Sequence, residues 1–246
     1  MTRAEKQLEP SPSFDNLSFE QLAWAALFFH KMEGNTYDNP YQRLLQDNIV
    51  SNLRTNPGQL TTQEVKEKVI TGFLLKWGCR PLQATDKLAK PIIKATKSIQ
   101  PQLRVLDDKK LINLDIEANA KAIKACYDTV VNICYNGFSH TAASKLLHIL
   151  NPEVFVIWDV SMRKHYKKHY DIGESGDGYC KYMKKMKEAT GKIKISKALN
   201  KEGLCPAVFL SKKMGIEPSK TLVKFLDEYN WITITKKVEL PPTWHP

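Results

Sequence analysis

Apolar residues recur along most of this chain every three to four positions, the spacing of helices that bury one face. Ser18, with Gln21 three residues on, reads as a helix start, and the body Leu22 to Met32 is apolar nearly all round. That pattern predicts a buried helix with Trp24 and Phe28 in the core. Tyr41 to Leu53 predicts a second helix, stopped by Asn56-Pro57-Gly58. Thr61-Thr62-Gln63-Glu64 reads as a capping box, and Val65, Val69 and Phe73 form the stripe behind it, to about Trp77. Asp86 to Ile99 is helical in pattern, with Pro91 a break or a first-turn residue, whereas Leu103 to Leu114 is ambiguous. Glu117 to Tyr135 is the longest regular helix, with Ile123, Tyr127, Val130 and Cys134 on one face. Tyr179 to Thr190, Pro206 to Met214 and Ser219 to Tyr229 complete the helices, and Asp171 to Gly178 is a flexible loop. Trp231-Ile232-Thr233-Ile234-Thr235 alternates and is β-branched, which predicts a short strand or an extended tail. The fold expected is all-α, bilobed with a cleft between the lobes, over residues 17–246 and preceded by a loose arm over 1–16.

One stretch, Asn136 to Lys164, departs from simple periodicity. Asn136-Gly137 is a turn signal, because both residues tolerate positive φ. From Thr141 the apolar residues Ala142, Leu146, Ile149 and Leu150 have helical spacing, and Asn151-Pro152 ends that helix. Glu153 to Trp158 is a short apolar run that ends in Asp159, and Arg163-Lys164-His165 follows one helical turn later. A turn between two helices presents backbone N–H groups at the second helix's N-terminus, where they can grip a phosphate without reading sequence. An Asp that opens a helix is, taken alone, most simply an N-cap.

Charge narrows the partner. The 246 residues carry 37 Lys and Arg against 26 Asp and Glu, a net charge of +11. Residues 163–201 hold 12 basic and 4 acidic side chains, so +8 of that excess lies in one segment. Such a field attracts polyphosphates. No amphipathic anchor adjoins the lysines and no apolar run is long enough to span a bilayer, so nucleic acid is the partner expected and a membrane is not. Five scattered cysteines without a C-x-x-C pair argue against a disulfide framework or zinc finger, and the N-terminus lacks the apolar core of a secretory signal. A cytoplasmic monomer is expected. His165 and His169 are four apart, but with no third ligand and Lys167-Lys168 between them a phosphate-facing surface is expected and no metal.

The stretch 136–164 resembles the helix-hairpin-helix DNA glycosylases. Their pattern is a Gly-containing hairpin, a Thr-Ala helix start, an apolar helix, and a short apolar segment ending in an essential Asp, with a basic residue a turn later. Gly137, Thr141-Ala142, Asp159 and Arg163 or Lys164 stand at those positions. The family's G-x-G is here Gly137-Phe138-Ser139, and the residue before Thr141, a nucleophilic Lys in lyase-type members, is His140.

The resemblance implies a monofunctional DNA glycosylase that hydrolyses the bond to a flipped base, with Asp159 as catalytic carboxylate. It implies that Gly137, Phe138, Ser139, His140, Thr141 and Lys145 hold the DNA backbone, while Arg163 and Lys164 steer the strand. Trp77 and Trp158 are candidate walls of a base pocket. No cofactor is expected beyond a monovalent cation at the hairpin, and the C-terminal region lacks the four spaced cysteines of an iron–sulfur cluster. Divergence outside the motif favours a specialised role in antiviral defence against hypermodified phage cytosines, such as glucosylated hydroxymethylcytosine. The alternatives are a non-catalytic DNA-binding module and, less strongly, an RNA-processing protein or nuclease.

Overall fold

The computed structural model describes residues 17–79, 85–133, 139–197 and 199–241, and among these it is helical without a strand. Helix α1 (Phe19–Glu33) starts at Ser18, whose side chain accepts from the Gln21 amide at 3.3 Å. A π-helical turn, Gly34–Asp38, leads into α2 (Asn39–Gln46). Asp47 then leaves helical geometry and caps α3 (Asn48–Thr55) by accepting from the Ile49 amide, so the predicted single helix is two. Helix α4 (Thr62–Glu64) carries the full capping box and continues as the π-helix Val65–Leu75.

Helix α5 (Thr85–Val105) runs through both Pro91 and Pro101. The expected break is absent because α5 packs along its length against α3, the π-helix after α4 and α6 (Ala120–Ile133). Packing outweighs the one hydrogen bond each proline removes. Helices α7 (His140–Leu150), α8 (Val160–Tyr170), α9 (Gly176–Thr190), α10 (Pro206–Met214) and α11 (Leu222–Asn230) follow. Helices α6 and α7 pack together, and the turn expected between them, including Gly137 and Phe138, lies outside the described residues.

Two expectations about apolar segments fail. Trp24, Leu27 and Met32 are 44%, 48% and 48% exposed, so α1 is not buried all round. It packs on α10, α11 and the turn after it, which occupy one side only, while Leu22, Ala25, Ala26 and Phe29 fill the core. Trp231–Thr235 is not extended but prolongs α11 as a π-helix. Alternation suits a strand only where a sheet is available to pair it, and here Ile232 and Ile234 are both buried within one helical turn.

The segment before α9 is also tighter than a flexible loop. Gly176 belongs to the helix and its amide donates to Asp128 Oδ1 at 2.9 Å. A Cβ on Gly178 would lie 1.6 Å from the Gly173 carbonyl oxygen, so only glycine fits. Gly178→Ala is expected to cost about 1–3 kcal/mol in urea unfolding, as backbone must move to admit the methyl group. Gly58, where an added Cβ would meet nothing within 4 Å, serves as the control, and Gly58→Ala should change stability by less than about 0.5 kcal/mol.

Candidate active site

Asp159 is held in place by what precedes it. Residues Val154 to Trp158 are completely or almost completely buried, yet they are neither helix nor paired strand. Buried backbone must find partners, and side chains supply them. His148 Nδ1 donates to the Phe155 carbonyl at 2.7 Å, Tyr179 Oη to Val156 at 2.6 Å, and Tyr182 Oη to Ile157 at 2.9 Å. The Trp158 amide donates to Ser144 Oγ at 3.0 Å, and the Trp158 carbonyl accepts from Arg163 Nη1 at 2.9 Å. The run reaches Asp159 with its backbone clamped from α7, α8 and α9.

Asp159 is the N-cap of α8: Oδ1 accepts from the Met162 amide at 2.8 Å, and Oδ2 accepts from Thr235 Oγ1 at 3.2 Å. Both oxygens are pinned, and the carboxylate still borders a cavity of about 450 Å³. That is the size range of small-molecule sites. The capping role and a place in a cavity are therefore not exclusive. Ser139, the N-cap of α7, and Thr141 open onto the same cavity, so the N-termini of α7 and α8 meet there. Lys145, 8% exposed, also lines it. Its Nζ donates to the Trp77 carbonyl and lies 5.5 Å from the centre of the Trp77 ring. Although it stands more than a helical turn past Thr141, α7 directs this lysine into the cavity.

The structure separates the other sequence candidates. Trp77 lines the cavity, packed on Phe73 and Tyr41 at ring distances of 4.7 and 5.4 Å. Trp158 does not: it is fully buried, stacked on Tyr182 at 5.3 Å, because the clamped run turns it into the core. Arg163 also lines the cavity, from a fixed position. It is buried, with Nε 3.1 Å from Glu174 and Nη1 donating to Thr141 Oγ1 at 2.8 Å, and so ties the start of α7 to α8. Lys164 is exposed. His140 turns from the cavity to stack on Tyr127, whose hydroxyl is 3.0 Å from Nδ1. Burial and the neighbouring Arg163 lower its pKa, against Glu174. His165 and His169 lie with their rings 4.5 Å apart on α8.

One wall came from no sequence motif. Asp227, Trp231 and Thr235, four residues apart, face the cavity along α11 and its π-helical extension. Phe29 and Tyr37 complete the aromatic lining beside Trp231, at ring distances of 5.3 and 6.1 Å. The stripe has helical spacing in sequence, but the β-branched alternation after Trp231 disguised it.

Behind that wall is a buried ionic cluster. Lys220 Nζ donates to Asp38 Oδ2 and Glu228 Oε1, both at 2.7 Å. Lys224 Nζ donates to Glu228 Oε1 at 2.9 Å and Asp227 Oδ2 at 3.3 Å, over the Phe29 ring at 4.4 Å. Burial disfavours the Lys224 ammonium, but Glu228, Asp227 and Asp38 more than offset it and raise its pKa. Burial raises the Asp227 pKa, opposed by Lys224 and Lys145, while Asp159 adds to the rise.

A carboxylate with both oxygens fixed beside two helix N-termini can stabilise a developing cation or hold a water for attack. Its support is pH-sensitive through His148, which is fully buried between the Phe155 carbonyl and Tyr41 Oη. Burial lowers its pKa to about 3. The unfolded histidine takes up its proton near 6.5, so the unfolded chain binds more protons between the two values. The stability is whole above pH 6.5 and is lost as pH falls toward 3. Relative to His148→Gln, the native protein should lose about 1.4 kcal/mol per pH unit across that window, measured by urea unfolding at a series of pH values.

Comparison with known proteins adds no identity: no family model, no curated protein and no solved structure matches this chain.

Proposed function

We propose that this protein is a monofunctional DNA N-glycosylase. The observation that carries the reading is the position of Asp159, pinned at both oxygens and open to the same cavity as Ser139 and Thr141 at the start of α7. In this reading a backbone phosphate lies at the α7 N-terminus, and exposed lysines of α8 and α9 (Lys164, Lys167, Lys168, Lys181 and Lys184) attract the duplex. The target nucleotide leaves the stack and enters the cavity. As the C1′–N bond breaks, its electron pair leaves with the base and positive charge grows on the sugar, facing Asp159. Water then adds to C1′ and gives its proton to Asp159, leaving an abasic site.

The resemblance is confined to residues 136–164, which favours a specialised substrate. Phage-hypermodified cytosine, such as glucosylated hydroxymethylcytosine, is the class proposed, in antiviral defence. Mass analysis of bases released from a panel of modified phage DNAs tests this, and wild-type protein that releases no base from any of them would leave a DNA-binding module as the better reading.

Asp159→Asn retains an N-cap but loses the charge. It is expected to keep fold and DNA affinity while base release falls by about 100-fold or more. Comparable release by this variant removes Asp159 from the mechanism.

The product is expected to be an abasic site without a strand break. A lyase needs an amine free to attack the sugar. His140 holds the usual position of that amine, and the Lys145 ammonium is engaged by the Trp77 carbonyl. Strands should therefore be cut only after hot alkali, and borohydride should trap no protein–DNA adduct. An adduct that disappears in Lys145→Ala would assign the nucleophile to Lys145 instead.

A further inference from the structure

The cavity holds a second carboxylate that the proposed chemistry does not use. Asp227 stands on the same helical wall as Thr235, two turns before it, and Thr235 is the residue that fixes Asp159 Oδ2. Trp231 lies midway between them and faces the same space. One end of the wall is thus at the sugar-facing carboxylate, and the other is at Asp227, bonded to Lys224, whose ammonium lies over the Phe29 and Trp77 rings. Eight residues of helix span about 12 Å, comparable with a nucleobase lying lengthwise with a contact at each end.

Asp227 is itself positioned. Its Oδ2 accepts from Lys224 Nζ at 3.3 Å, and Lys224 is fixed by Glu228, which is fixed by Lys220, which also reaches Asp38. Four other buried ionic side chains, from α11, the segment before it and the turn before α2, hold this carboxylate in place. Oδ1 has no hydrogen bond among the described residues, and it is not sealed in the core as Glu228 Oε2 is. A carboxylate bonded to an ammonium accepts hydrogen bonds and does not donate them. The aromatic rings of Phe29, Trp77 and Trp231 around it suit a flat, apolar-faced ligand.

We propose that Asp227 reads the extruded base, accepting a hydrogen bond from an exocyclic amine on its pairing edge, so that the cavity selects amino-bearing bases over their oxo counterparts. The assignment rests on the reading of the cavity as a base-excision site. It deepens that reading, since cytosine derivatives carry such an amine and uracil derivatives present a carbonyl oxygen in its place. A carbonyl oxygen set against the carboxylate is doubly unfavourable, because two acceptors meet and neither is satisfied.

The test uses duplexes that differ in one atom group. Each carries a single 5-hydroxymethylcytosine or 5-hydroxymethyluracil, unpaired opposite an abasic analogue so that extrusion costs are matched. A 2′-fluoroarabino sugar resists bond cleavage, so binding is measured without excision. Wild-type protein is expected to bind the amino member about 10- to 100-fold more tightly. Asp227→Asn, whose amide can donate as well as accept, should bring the two within about threefold of each other. Equal binding of the pair by the wild type overturns the proposal without recourse to any variant. Discrimination that survives in a folded Asp227→Asn protein overturns it as well. Because binding is read apart from cleavage, a protein that discriminates yet releases no base from any of the modified phage DNAs would sink the glycosylase reading and keep the base reader.

Discussion

Residues Val154 to Trp158 impose the constraint around which the rest of the molecule is arranged. Their side chains are apolar and belong in the core, but no strand lies beside them, among the described residues, to take their backbone hydrogen bonds. An unpaired buried peptide group costs about 1–3 kcal/mol, so a run of them would be untenable. The Asn151 carbonyl accepts from the Val154 and Phe155 amides. Five side chains take four carbonyls and one amide of the run: Ser144 and His148 from α7, Arg163 from α8, Tyr179 and Tyr182 from α9. Each must arrive in one geometry, and the three helices are thereby fixed relative to the segment. Asp159, the next residue, inherits that rigidity.

Arg163 shows why residue type matters in such a junction. It meets the Trp158 carbonyl, Thr141 and Glu174 at once, joining the extended run, the start of α7 and the loop before α9. A guanidinium supplies several donors in a rigid plane, and a lysine ammonium cannot match that geometry. The adjacent Lys164 points outward to solvent. Two neighbouring basic residues thus have opposite surroundings, decided by which side of α8 each occupies.

The cavity is built from opposite sides of the core. One side is the junction of α7 and α8, whose N-termini offer unpaired N–H groups and the capping carboxylate. The other is α11 with its π-helical extension, backed by the cluster of Lys220, Lys224, Asp38, Glu228 and Asp227. Buried ion pairs seldom add net stability against apolar packing. Their retention beside a cavity fits a role in setting the position of Asp227, the member of the cluster that lines it.

Elements whose cause is local were legible in the order of residues alone. The capping box at Thr61 and Glu64, the stop at Asn56-Pro57, the helix starting at Pro206 and Asp159 at the head of α8 depend on neighbours a few residues away, and all could be read from their spacing. Among the site candidates, Ser139, Thr141, Lys145, Asp159, Arg163 and Trp77 do meet at one cavity. Facing and distant partners, by contrast, were settled by the assembled fold. Trp24 is exposed and Trp158 is sealed in the core, although both are tryptophans on apolar stretches. Pro91 and Pro101 sit within a helix that packing holds together, and Trp231–Thr235 is helical despite its alternation. Asp227 and Thr235 reach Asp159's cavity across separations of 68 and 76 residues, Thr235 through a direct bond. Short-range spacing records the torsional and capping preferences of a segment, whereas which face is buried, and against what, is set by the sum of contacts with segments remote in the chain.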